Sequence, residues 1–175
     1  MTTKEIRRYF NLARNASTFS DYEHNKVGAI LVYKHDIIGI GYNRKVSNPI
    51  QKKYNIYRNN RYRHYDVDIQ HNYIHAEIDC ILKAKKEFNG NMNKCNIFIY
   101  RQTKTGKRGL SAPCSACSHC LADNGIINIY YSTSNGYVYE KRIWVNIYVV
   151  LVLYSDFSNM VEELTIKQIK CLKMS

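Results

Sequence analysis

Two short runs carry the chemistry of this chain: His75-Ala76-Glu77 and Pro113-Cys114-Ser115-Ala116-Cys117. One imidazole and two thiolates are soft-to-borderline donors suited to zinc, and three protein ligands leave the fourth tetrahedral position open, the arrangement of a catalytic rather than a structural ion. A water in that position ionises near neutral pH, its pKa lowered to about 7. Glu77 lies two residues beyond His75 and is not required as a ligand, so it is free to carry protons to and from that water. Cys114 and Cys117, three apart, fall on one side of a helical turn, where both sulfurs can grip one ion. A helix N-terminus at each run favours the thiolates and the Glu77 carboxylate. Taken alone, Cys-x-x-Cys also fits a redox pair or a structural zinc.

The elements that must position these residues follow from periodicity. Ile6, Tyr9, Phe10, Ala13 and Ala16 predict an amphipathic helix over 4–17. Residues 26–33 and 37–42 predict two strands joined by a short turn and therefore antiparallel. Ile78, Ile81, Leu82 and Ala84 predict a helix from Ala76 to about Phe88, ended by Gly90. Residues 95–101 predict a third strand, and 103–112 a basic, Gly-containing loop. Cys114 to about Asp123 predicts a helix closed by Asn124-Gly125, and 126–133 a fourth strand. Asn135-Gly136 before Tyr137-Val138-Tyr139 is a hairpin signal, so the fourth and fifth strands are expected antiparallel. Residues 143–154 are apolar but too short for a membrane span of about 20 residues and read as a strand or core segment. A last helix is expected from Asn159, with Glu162 at capping-box spacing.

Together the two motifs and these flanking elements resemble the zinc-dependent cytidine/deoxycytidylate deaminase superfamily. Lys26-Val27-Gly28-Ala29-Ile30-Leu31-Val32 looks like its first strand and Gly41-Tyr42-Asn43 like the end of its second. The paired motif His-x-Glu and Pro-Cys-x-x-Cys is that of the zinc deaminases. The resemblance covers about residues 4–142 and leaves 143–175 as a C-terminal extension of a single domain, 1–175. It implies an α/β, three-layer α-β-α sandwich around a mixed five-stranded sheet. It implies one Zn²⁺ on His75, Cys114 and Cys117, with Glu77 as proton shuttle. It also implies substrate contacts from Asn43 and from the backbone of Ala76; Asn43 alone also reads as a turn residue. Within the superfamily, the hairpin resembles the branch of cytidine deaminases and bacterial DNA-deaminating toxins. The branch of deoxycytidylate, tRNA-adenosine and vertebrate polynucleotide deaminases places a helix between those strands instead.

The 175-residue chain carries a net charge of +12, which calls for an anionic partner. Residues 44–74 show no clean period and mix cations with tyrosines; a stretch this long without structure is usually functional or disordered. Arg58, Arg61, Tyr62 and Arg63, with Lys107 and Arg108 further on, are the candidate nucleic-acid contacts, through phosphates and stacked bases. Cytosine in DNA is therefore the first expected substrate, and free cytidine, deoxycytidine or its monophosphate the alternative. A zinc-holding module without turnover is disfavoured by Glu77, for which such a module has no use. Six cysteines without framework spacing suggest a reducing compartment. No signal peptide or membrane segment is expected, which suits a cytoplasmic enzyme or a delivered toxin domain, the latter with an immunity protein as partner.

Overall fold

A computed structural model describes residues 1–59, 72–145 and 148–154, with side chains as far as Arg142. Arg61, Tyr62 and Arg63 and the expected helix from Asn159 lie outside the described residues.

Helix α1 (Thr3–Ser17) starts on a capping box: Thr2 Oγ1 accepts from the Glu5 amide and the Glu5 carboxylate accepts from the Thr2 amide. Strands β1 (Asn25–Tyr33) and β2 (Asp36–Tyr42) form an antiparallel pair turned at Lys34, whose φ is 55°. Helix α2 (Pro49–Asn59) and helix α3 (Ala76–Glu87) follow. Strand β3 (Cys95–Thr103) comes next, then the two-residue strand β4 (Arg108–Gly109) and helix α4 (Ser115–Asp123). Strands β5 (Asn128–Ser132), β6 (Tyr137–Val145) and β7 (Tyr148–Tyr154) complete the described chain.

Six strands run in the order β2-β1-β3-β5-β6-β7, with β4 paired to β3 off that path. Strands β3 and β5 are parallel and are connected through α4, the crossover that a parallel pair requires. Strands β5 and β6 pair antiparallel across the tight turn, with Tyr131 opposite Val138.

Residues on β1 and β3 alternate between two faces, as the period of two dictates. Ile30, Val32, Phe98 and Tyr100 pack with Tyr9 and Phe10 of α1. Ala29, Leu31, Ile97 and Ile99 pack with Ile78, Ile81 and Leu121 of α3 and α4. The result is the expected helix–sheet–helix sandwich. Gly28 and Gly41 set its thickness. A Cβ on Gly28 would lie 2.1 Å from the Ala13 carbonyl oxygen, and one on Gly41 would lie 2.3 Å from both the Ala76 oxygen and the Cys80 nitrogen. The missing side chain of Gly41 thus lets the first turn of α3, which carries the His75 motif, sit directly on β2.

Three sequence expectations are corrected. The sheet has more than five strands: β6 continues to Val145, and the apolar run at 148–154 returns beside it as β7. The 103–112 loop holds a short strand, because Gly106 (φ 75°) turns the chain so that Arg108 and Gly109 pair with Gln102 and Arg101. The stretch from residue 44 also contains a helix, α2. Its buried face is made largely of Gln51, Tyr54 and Asn55, which are 0, 5 and 4% exposed. A face lined by amides shows no apolar periodicity. The local signal was Asn48-Pro49: the Asn48 side chain caps the Ile50 amide at 2.9 Å, with proline at the first helical position. Among the described residues, no helix is long and apolar enough to cross a membrane.

Candidate active site

His75 and Cys114 occupy the N-cap positions of α3 and α4, and neither side chain makes a capping hydrogen bond. N-caps are ordinarily Ser, Thr, Asp or Asn, whose oxygen satisfies an orphan amide. Here both helices forgo that bond, and the two side chains turn towards each other. The His75 Nδ1 lies 3.6 Å from Cys114 Sγ and 3.3 Å from Cys117 Sγ. All three donor atoms lie within 4.8 Å of one another, so the structure unites residues 39 and 42 positions apart.

The charge balance of this cluster calls for a cation. A hydrogen bond from the Cys117 thiol, together with His75, pulls Cys114 down to about 3 despite its burial. Burial pushes Cys117 well up, and the charges of Glu77 and Cys114 add to the effect. Protein groups alone therefore support one thiolate and resist the second. A divalent ion removes that conflict, and a nitrogen and two sulfurs form a fitting donor set for zinc.

Glu77, in the first turn of α3, is 6% exposed. Burial pushes its carboxyl up, against the opposing pull of His75. It lines a cavity of about 370 Å³ with His75, Ala76, Cys114 and Asn43. Asn43 is 7% exposed, and both ends of its amide are engaged by β1: Oδ1 accepts from Val27 N at 2.7 Å and Nδ2 donates to Asn25 O at 2.8 Å. Arg58 also lines the cavity. Lys107 is exposed in the β3–β4 turn. Arg108 donates through Nε to Thr133 O at 2.8 Å and lies over the Tyr137 ring, which braces the β5–β6 hairpin.

The site is supported by residues that the motifs do not reveal. Gln51 Oε1 accepts from the His75 backbone amide at 3.0 Å, and Gln51 Nε2 donates to Asn55 Oδ1 at 2.8 Å. Tyr54 donates to Asp123 at 2.9 Å, and Tyr57 stacks on His119 with centroids 3.6 Å apart. Helix α2 thus grips both the His75 backbone and α4. Ser111 and Ser132 form a buried hydroxyl pair, 2.9 Å apart, that holds the segment leading to Cys114. Asp79, one turn beyond His75, accepts from Arg44 at 2.6 Å, Lys83 at 2.7 Å and the Tyr42 amide at 3.2 Å, which ties α3 to β2. Cys120 is 2% exposed in the core, and burial pushes its thiol up to about 11.

The expected effect of Gln51→Leu follows. The His75 amide loses its acceptor and the imidazole its fixed N-cap geometry. Zinc affinity is expected to fall by about 10- to 100-fold, the usual cost of removing a group that orients a metal ligand. Competition with a chromophoric chelator measures this, and unchanged affinity would show that Gln51 does not orient the ligand.

The sequence model of the family described as the cytidine and deoxycytidylate deaminase zinc-binding region matches residues 3–133. The chain belongs to that family. It is accordingly a zinc-dependent cytosine or cytidine deaminase with a single His75-Cys114-Cys117 metal site. Among solved structures it is similar to the dCMP deaminase from the cyanophage S-TIM5. The apo form gives 21% identity and a TM-score of 0.51 over 75% of this chain and 84% of that one. The complex with dCMP and dUMP gives the same identity and score over 75% of this chain and 82% of that one. A mutant cytidine deaminase from Mycobacterium tuberculosis gives 15% identity and a TM-score of 0.43 over 71% of this chain and 82% of that one. At these identities the likeness speaks for the fold. No curated protein matches.

Proposed function

We propose that the protein hydrolyses the exocyclic amine of cytosine on a free nucleotide, giving uracil and ammonia, with Glu77 as the proton shuttle. The observation that carries this reading is a buried acid that the metal does not need, set in the wall of the cavity beside the three ligands. Zinc held by His75, Cys114 and Cys117 polarises a water so that it ionises near neutral pH. The Glu77 carboxylate takes the proton from that water and passes it to the ring nitrogen beside C4. A proton then reaches the amine, the C4–N bond breaks, and ammonia leaves as the C4 carbonyl forms. Burial assists by holding Glu77 ready to keep a proton between these transfers. Ala76 and Asn43 shape the wall against which the base lies, and Asn43 does so rigidly because β1 holds its amide.

The free nucleotide takes precedence over DNA for two physical reasons. A cavity of about 370 Å³ lies in the range of small-molecule sites. Much of the charge that suggests a polymer also lies elsewhere: Lys4, Arg7, Arg8 and Arg14 are exposed on α1, which covers the opposite face of the sheet. Cytosine in DNA is the second reading, favoured by the net charge of +12, which exceeds the need of one phosphate. The family resemblance adds the β5–β6 hairpin in its favour.

A substrate panel separates the readings. Zinc-loaded protein is incubated with cytidine, deoxycytidine, deoxycytidine monophosphate and cytosine-containing single- and double-stranded oligonucleotides, and uracil is measured. Conversion of the monomers is expected. Conversion of oligonucleotides alone, falling steeply with salt, would make DNA the substrate, and no uracil from any of them would overturn both readings.

A further inference from the structure

Two guanidinium groups line the cavity that holds the zinc ligands, and the deamination step uses neither. Arg101 sits near the end of β3, opposite Val27 of β1. Its Nη2 donates to Asn25 Oδ1 at 2.5 Å and its Nη1 to Leu110 O at 3.4 Å, both neutral acceptors. Its Nε is enclosed and has no hydrogen-bond partner. Arg58 reaches the same cavity from the last turn of α2 and lies close enough to Tyr22 and His75 to act on both electrostatically. Among the described residues, neither guanidinium is in an ion pair with a carboxylate. Arg44 shows the contrast: its guanidinium is paired with Asp79 at 2.6 Å. The acidic residue in the cavity lining is Glu77, which serves the reaction.

Partly enclosed guanidinium groups held by neutral oxygens, with no counter-charge, have unspent affinity for an anion, and their planar fork matches phosphate. We propose that Arg58 and Arg101 together seat the phosphate of the substrate nucleotide, so that the enzyme selects phosphorylated cytosine substrates over the nucleoside. This rests on the deaminase reading and adds the group that is recognised. The phosphate is either the 5′ monoester of a free nucleotide or a diester of a strand; the chemistry of recognition is shared.

The test compares kcat/KM for deoxycytidine, its 5′-monophosphate and an oligonucleotide with one cytosine, using the zinc-loaded protein and three variants. In the wild type, one phosphorylated form is expected to exceed the nucleoside by about 10- to 100-fold, the weight of charge-assisted hydrogen bonds. Whichever form it is identifies the carrier. Arg101→Gln and Arg58→Gln should each shrink that ratio about tenfold or more, chiefly through KM, and Arg101→Lys should recover part of it. Arg7→Gln, on the far face, should leave it unchanged. Equal kcat/KM for all three substrates would overturn the proposal, as would a ratio that survives in both glutamine variants or falls equally in Arg7→Gln. Calorimetric binding of dUMP and deoxyuridine gives a readout free of turnover. A dUMP preference that is lost in Arg101→Gln, in a protein that deaminates nothing, would sink the deaminase reading and keep the phosphate seat. Equal binding of the two would sink the seat whatever the turnover.

Discussion

Glu77→Gln is expected to retain zinc and to lose roughly 10²–10⁴-fold in kcat, the usual contribution of a general acid–base. The substitution is nearly isosteric and removes only the capacity to exchange a proton. The His75, Cys114 and Cys117 donors lie within 4.8 Å of one another without any atom of Glu77, so the metal site should survive. Burial argues for the same outcome, because a neutral amide replaces a carboxyl whose charge is disfavoured at that depth. The variant should therefore be at least as stable as the wild type while failing to turn over. Metal analysis, thermal unfolding and steady-state kinetics on one preparation decide it. Near-normal turnover would remove Glu77 from the mechanism, and loss of zinc would make it a ligand.

The second large effect is expected from Cys117→Ser. This residue is wholly buried, in the first turn of α4, and its sulfur faces His75 Nδ1 at 3.3 Å. A serine hydroxyl at that place stays protonated and is a poor zinc ligand, so the cation that balances Cys114 and Glu77 is no longer held. Zinc per chain should fall well below stoichiometric and activity should fall with it. The midpoint of unfolding should drop as well, because binding energy of the metal contributes to the folded state. Added zinc should restore part of the activity only at raised concentration. Full zinc content in this variant would count against Cys117 as a ligand and would undo the site as described. The two substitutions thus differ in kind: one keeps the metal and loses the reaction, and the other loses both.

The extent to which the sequence disclosed this site depends on what each residue does. Metal ligation and proton transfer demand particular side chains, and their spacing is set by one helical turn. That is why His75, Glu77, Cys114 and Cys117 are legible without coordinates. Gln51 performs a task that several polar residues could perform, for an amide 24 positions away. Nothing local distinguishes it from a surface glutamine. Arg101 is similar: within β3 it is one cation among many, and only the neutral oxygens of Asn25 and Leu110 around it reveal a charge without a counterpart. Arg108 shows the reverse error, since a basic residue in a loop suggests a phosphate contact, whereas its guanidinium is bonded to the hairpin at Thr133.

By itself, the order of residues determined the ligand set, the buried acid beside it and the alternation of strands and helices that makes an α/β sandwich, because each is written in side-chain type and short-range period. Tertiary structure alone decided that β1 lies between β2 and β3, that α2 clamps the His75 backbone, and that Arg58 and Arg101 share a cavity with the metal ligands. These are relations between segments distant in the chain. They arise from which faces bury together and which buried polar atoms find partners, and no local pattern encodes that choice.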